Sequence, residues 1–126
     1  MRANFFFCFI LGCFTSEFSW GSCNSAKDIS RIAVAGGSIT EILYLLGEEK
    51  RIIAADRTSN YPKEALELPS VGYVRNISAE GILSLKPTLV LGEHDMGPDE
   101  VIKQIENVSV EVIRVNEVHT ASGIVD

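Results

Sequence analysis

Short apolar runs alternate with helical segments along most of this sequence, and this alternation restricts the possible folds more than any other feature. Four runs are predicted strands because almost every residue in them is apolar: residues 31–35, 51–55, 88–92 and 110–115. Strands that are apolar on both faces are typical of a parallel sheet covered by helices on both sides. The sequence therefore predicts an α/β fold with a mostly parallel, four-stranded sheet flanked by helices.

The first predicted helix covers residues 38–46 and ends at Gly47. Ser38 and Glu41 have the spacing of a capping box, in which each side chain bonds the backbone at the other residue. Residues spaced three or four apart give the helix one apolar face: Ile39, Ile42, Leu43 and Leu46. One helical turn is also expected near residues 63–66, and Pro98 is expected in the first turn of a helix that runs to about Val108.

The first 25 residues have the layout of a secretory signal peptide. Arg2 is followed by an apolar run over residues 5–14, which is too short to span a bilayer as a helix. Residues 10–13 also resemble a bacterial lipobox, which would place a lipid on Cys13. All three cysteines lie in this leader: Cys8, Cys13 and Cys23. Residues 26–126 then form the mature domain, which has no disulfide or cysteine-based metal site.

The composition of the 126-residue chain excludes one class of partner. The chain is 46% hydrophobic, as expected of a globular domain, and its net charge is −6. A long phosphate backbone is bound through a basic surface, which this composition does not supply. We therefore expect no nucleic-acid partner.

Residues 71–87 combine an irregular loop with a short amphipathic helix. The loop carries a phenol at Tyr73 and a guanidinium at Arg75, whose side chains project to the same side if the loop is extended. Ser78 is a plausible N-cap for the helix, and Glu80 lies in its first turn. This stretch is the strongest candidate for a ligand site.

A nucleotide-binding enzyme of the Rossmann type is a weaker alternative. Gly36 and Gly37 follow the first strand, and Asp56 ends the second, near the spacing at which an acid meets ribose. However, the third glycine of that motif is missing, and Glu41 would place a carboxylate where the pyrophosphate should lie. The simpler interpretation is that the glycines form a turn and that Asp56 is a solvated loop acid.

The two histidines, His94 and His119, are far apart and form no ligand-spaced motif. His94 follows the third predicted strand, at the sheet end where α/β proteins bind ligands. It could line a cleft or could be an exposed loop residue.

The motifs together resemble a known family. Residues 71–91 carry a Val-Gly-Tyr-x-Arg loop, a Ser-Ala-Glu-Gly helix start and a Leu-Lys-Pro-x-Leu-Val ending. Elsewhere the chain has Thr40-Glu41, Tyr61-Pro62 and Met96-Gly97-Pro98. This combination is similar to the haem-binding periplasmic substrate-binding proteins of ABC importers, over residues 31–115. Members of the superfamily that bind cobalamin or iron-siderophores share the Leu-Lys-Pro-x-Leu-Val ending, Thr40-Glu41 and Tyr61-Pro62.

The resemblance implies roles for three residues. Tyr73 would be the axial ligand of haem iron, since a phenolate oxygen suits ferric iron. Arg75 would be its hydrogen-bond partner, and Glu80 would dock on the importer permease. Without the resemblance, Tyr73 is a half-buried aromatic, Arg75 a surface charge and Glu80 a complement to the helix dipole. The other two tyrosines are weaker candidates for the iron ligand: Tyr44 is expected to pack against the core, and Tyr61 to shape a turn with Pro62.

The resemblance also implies a function. The protein would be a periplasmic, non-enzymatic binding protein that delivers haem to an ABC importer permease for iron acquisition, with cobalamin or an iron-siderophore as the alternative ligand. Family members have two α/β lobes, and this sequence reaches about the end of the first, Rossmann-like lobe. We therefore expect residues 26–126 to be an N-terminal lobe without its second lobe, with weak, solvent-exposed haem binding at Tyr73 and no transport.

Overall fold

A four-stranded parallel sheet forms the centre of the computed structural model, which describes residues 25–117. The elements follow in chain order: β1 (Ile32–Ala35), α1 (Gly37–Leu45), β2 (Ile52–Ala55), β3 (Gly72–Tyr73), β4 (Asn76–Ile77), α2 (Ala79–Ser84), β5 (Leu89–Glu93), α3 (Asp99–Asn107) and β6 (Glu111–Val115). The strand order in the main sheet is β2-β1-β5-β6, with every pairing parallel. The predicted α/β lobe is confirmed.

Both faces of the sheet are buried, as the continuous apolar strands predicted. Side chains alternate between the faces along β1, so Ala33 and Ala35 pack with α2 and α3, while Ile32 and Val34 pack with α1. The short strands β3 and β4 form an antiparallel hairpin outside the main sheet. A 3-10 turn at Lys63–Glu67 matches the predicted helical turn.

The capping box predicted at the start of α1, between Ser38 and Glu41, is wrong. The N-cap is Gly36, which makes no side-chain cap and has a φ of 140°. Ser38 instead donates its hydroxyl to Glu93 Oε1 at 2.6 Å, because β5 brings Glu93 beside the helix start.

The predicted apolar face of α1 is only partly buried. Ile39 is buried and Leu43 packs against the apolar cluster beneath the helix. Ile42 and Leu46 are 53% and 68% exposed, so they do not belong to the core. Helical spacing identified the helix itself, but not which residues contact the sheet.

Part of the sequence interpretation concerns residues outside the described range. The signal peptide over residues 1–25 lies almost wholly there, as do the lipid site at Cys13 and the second histidine, His119. Within residues 25–117, no helix has the length and apolar character needed to cross a membrane.

Candidate functional site

The carboxyl ends of β1 and β5 define the edge of the sheet where a ligand is expected. From β1 the chain passes outward to β2 and then crosses to β5 on the other side of β1. In open α/β sheets, the crevice at such a change of direction is the usual ligand site. Gly36 and Glu93 lie at this point, and an added Cβ on Gly36 would collide with the Glu93 side chain.

The β3–β4 hairpin is tied to this same edge by backbone hydrogen bonds. Gly97, in the loop after β5, donates to the Val74 carbonyl at 3.0 Å and accepts from the Ile77 amide at 3.0 Å. On the other side, the Arg57 amide donates to the Gly72 carbonyl at 2.8 Å. The hairpin therefore joins the loops that follow β2 and β5.

Every third residue of the hairpin segment is buried, and the residues between them are partly or fully exposed. Val71, Val74 and Ile77 are buried, while Tyr73 is 43% exposed and Arg75 is also exposed. The loop predicted to be irregular is thus a two-residue ladder with buried anchors. It holds the Tyr73 phenol at the surface on a fixed backbone.

Arg75 forms an ion pair that the sequence interpretation did not include. Its Nε donates to Asp95 Oδ2 at 2.5 Å. This hydrogen bond and the Asp95 charge raise the pKa of Arg75, with a smaller contribution from Tyr73. The same hydrogen bond holds the pKa of Asp95 below its ordinary value. The Tyr73–iron and Tyr73–Arg75 contacts stay predictions.

Asp95 was missed because its partner is 20 residues away in the chain. The sequence feature that could have identified Asp95 is its position two residues after β5, at the carboxyl edge of the sheet. Its Oδ1 atom is buried and has no hydrogen-bond partner among the described residues. Its neighbour His94 is partly exposed, with Nδ1 3.6 Å from Glu117 Oε2.

Asp56 is buried rather than solvated, so the interpretation as a loop acid in solvent is wrong. Its Oδ1 accepts from the Gly36 amide at 3.0 Å and from the Ser59 hydroxyl at 3.0 Å. Its Oδ2 accepts from the Thr58 amide at 3.0 Å. Both oxygens are used by the protein, which leaves Asp56 as a structural tie between loops and gives no support to a ribose contact.

The other two tyrosines lie outside the hairpin, Tyr44 on α1 and Tyr61 just before the 3-10 turn. Tyr44 packs against the cluster beneath α1, as predicted, and burial together with nearby acidic residues raises its pKa. Tyr61 is 66% exposed and directly precedes Pro62 and the 3-10 turn. Tyr61 also has a cation two residues on, Lys63, whereas Tyr44 has none at that spacing.

Glu80 is exposed in the first turn of α2. The Ser78 hydroxyl oxygen accepts from the Gly81 amide at 3.1 Å, which confirms the predicted N-cap. Within residues 25–117, no group of three or more His, Cys, Asp or Glu side chains is placed to hold a metal ion.

Comparison with known proteins now assigns the family. The family model described as "Periplasmic binding protein" matches residues 32–126. The chain belongs to this family of binding proteins. It is 33% identical over 92 residues to a vitamin B12-binding protein of Pectobacterium atrosepticum, covering 72% of this chain and 33% of that protein.

Solved structures of this periplasmic binding protein family have the same fold as the lobe. A periplasmic heme-binding protein from Pseudomonas aeruginosa matches with a TM-score of 0.71 and 38% identity, over 75% of this chain and 34% of that one. HutB, a periplasmic heme-binding protein of Vibrio cholerae, matches with a TM-score of 0.68 and 40% identity, over 76% and 37%. The chain thus spans about a third of the length of the relatives that it matches.

Proposed function

We propose that residues 26–126 form the N-terminal lobe of an extracytoplasmic binding protein that captures haem and delivers it to an ABC importer permease for iron acquisition, without catalysing a reaction. The observation that carries the proposal is the half-exposed Tyr73 phenol on a hairpin anchored at the carboxyl edge of the sheet. Arg75, two residues on, is also exposed and is held by Asp95.

The chemistry of haem suits this arrangement. Ferric haem is a flat apolar ring with a hard cation at its centre, and a phenolate oxygen is an established type of axial ligand. An unperturbed phenol is protonated at neutral pH, so the iron must drive its ionisation. The Arg75 guanidinium would stabilise the resulting negative charge. Tyr73 is proposed as the iron ligand and Arg75 as its hydrogen-bond donor.

Cobalamin is the second candidate ligand, because several curated relatives are vitamin B12-binding proteins, one of them 33% identical to this chain. The heme-binding proteins with solved structures are 38% and 40% identical over a similar share of the chain, which favours haem. In a cobalamin or siderophore complex, Tyr73 would stack on the ligand or donate a hydrogen bond without touching the metal.

Glu80 is the proposed docking residue for the permease. It is exposed on the first turn of α2, and its neighbours Ser78 and Gly81 fix that turn through the N-cap. An exposed carboxylate on a rigid helix start suits recognition by basic side chains of a partner protein.

Separate titrations with ferric haem, cobalamin and a ferric siderophore test the ligand assignment. Each ligand is added to the 126-residue chain, and binding is followed by the ligand's own absorption spectrum. Haem is expected to saturate the protein with a phenolate-to-iron charge-transfer band, at lower concentrations than the other ligands. Saturation by cobalamin alone, or a haem complex without that band, would show that the proposal is wrong.

A further inference from the structure

The Arg75–Asp95 pair leaves part of the Arg75 guanidinium available. Asp95 accepts from Nε, one edge of the guanidinium fork, at 2.5 Å. The terminal nitrogens carry the remaining N–H donors and make no hydrogen bond within residues 25–117. Asp95 therefore fixes the direction of the side chain without using the donors at its end.

The pair is poorly suited to a purely structural role. The Arg75 side chain is 66% exposed, and ion pairs at that exposure contribute little to stability. The Asp95 side chain is only 22% exposed, and its second oxygen is buried without a partner among the described residues. An unpartnered buried carboxylate oxygen is unfavourable for folding, so the gain in stability from the pair does not account for Asp95 at this position.

The backbone around Asp95 is connected directly to the hairpin. Met96, the next residue, is buried, and the Gly97 amide bonds the Val74 carbonyl between Tyr73 and Arg75. The loop that carries Asp95 and the turn that carries Arg75 are thus held at a fixed separation.

We propose that Asp95 is a positioning residue for ligand binding: it holds Arg75 by Nε so that the terminal nitrogens donate to the Tyr73 phenolate when ferric haem is bound. This inference rests on the proposed haem-binding function and adds to it a residue that touches neither the iron nor Tyr73. Asp95 acts through Arg75, because Arg75 is its only hydrogen-bonded side-chain partner in the described part of the chain.

The direction of the effect separates positioning from simple charge. As a nearby negative charge alone, Asp95 would oppose a phenolate at Tyr73, and its neutralisation would tighten haem binding. As the residue that orients Arg75, its neutralisation would release the guanidinium and weaken haem binding. The two accounts therefore predict opposite changes in affinity for Asp95→Asn.

The test combines two measurements on Asp95→Asn. In the ligand-free protein, NMR of the Arg75 Nε–H group is expected to show slow exchange with water in the parent and faster exchange in the variant. In titrations with ferric haem, the variant is expected to bind about tenfold more weakly, as for loss of one charge-assisted hydrogen bond, and to show a weaker phenolate-to-iron band. Asp95→Glu, which keeps the carboxylate, is expected to restore part of both signals.

Two control variants make the result specific. Asp99→Asn breaks a similar surface pair with Arg114, at 2.6 Å, and is expected to leave haem binding unchanged. In an Arg75→Met background, Asp95→Asn is expected to cause no further loss of affinity. Unchanged or tighter haem binding by Asp95→Asn, or an equal loss in the Arg75→Met background, would overturn the positioning role while the haem function stands. A parent protein that binds no haem would refute both, whatever the Nε–H exchange shows.

Discussion

Replacing Asp56 by alanine is expected to lower the free energy of unfolding by about 3 kcal/mol. The carboxylate is buried and accepts hydrogen bonds from the Gly36 amide, the Ser59 hydroxyl, and the amide and hydroxyl of Thr58. These donors lie in the β1–α1 turn and in the loop after β2. Alanine would leave them without their shared acceptor.

The magnitude follows from which donors remain unpaired. Each buried donor left without a partner costs about 1–3 kcal/mol. The Gly36 amide is buried, and its hydrogen bond goes to the Asp56 carboxylate. The Ser59 hydroxyl can keep its 2.8 Å contact with Thr40, and Thr58 is partly accessible to water, so their losses are smaller. One full loss at Gly36 and three smaller losses at Ser59 and Thr58 together give about 3 kcal/mol.

Urea denaturation followed by far-ultraviolet circular dichroism measures this change by linear extrapolation. Asp56→Asn is expected to lose about half as much, since it keeps one carbonyl oxygen as an acceptor but places an NH₂ group among donors. Asp99→Asn, at an exposed site, is the control for loss of a carboxylate. A loss below about 1 kcal/mol for Asp56→Ala would refute the view that this residue ties the loops together.

The hairpin, its ion pair and the exposed helix start give three further expectations. Gly72→Ala should lose about 3 kcal/mol in urea denaturation, because Gly72 has a φ of 105° and an added Cβ would lie 2.8 Å from a carbonyl oxygen of the facing strand. Gly47→Ala, with a φ of 76° and open space, should lose about 1 kcal/mol. The pKa of Asp95 is lowered, first by its hydrogen bond from Arg75, so the pair stabilises above the ordinary aspartate pKa. The small urea-midpoint difference between parent and Asp95→Asn should therefore shrink as the pH falls below the ordinary aspartate pKa. Glu80→Gln should slow association with the permease, and the difference from the parent should decrease with added salt.

Each of these expectations has a contrary result. Equal losses for the two glycine variants would show that contact with the facing strand is unimportant at Gly72. A midpoint difference that persists unchanged at low pH would mean that the Asp95 charge does not stabilise the fold. For docking, Glu106→Gln on the exposed face of α3 is the matched control, and an equal slowing by both variants would exclude a specific role for Glu80.

The sheet could be predicted from sequence because its strands are continuous apolar runs. All four residues of β1 are buried, which is the pattern that a strand covered on both faces must have. The order β2-β1-β5-β6 could not be predicted from periodicity, since periodicity reports which faces are buried and not which strands are neighbours.

The candidate site was only partly predictable because its main contacts join distant residues. Local rules paired Ser38 with Glu41, whereas the fold pairs it with Glu93, 55 residues away. The same applies to the carboxylates: Asp56 and Asp95 look like ordinary loop acids in sequence, and only the fold surrounds one with donors and places the other against Arg75. Tyr73 and Arg75 were identified through the family resemblance, and the fold adds their position at the carboxyl edge.

The absorption spectrum of the ferric haem complex of Tyr73→Phe tests the central claim most directly. This variant removes one hydroxyl from a side chain that is 43% exposed, so the fold should be retained. Tyr61→Phe makes the same change at another exposed tyrosine and serves as the control. We expect the phenolate-to-iron band to be lost and haem affinity to fall in Tyr73→Phe alone. A Tyr73→Phe complex with the parent's band and affinity would contradict the assignment of Tyr73 as the iron ligand.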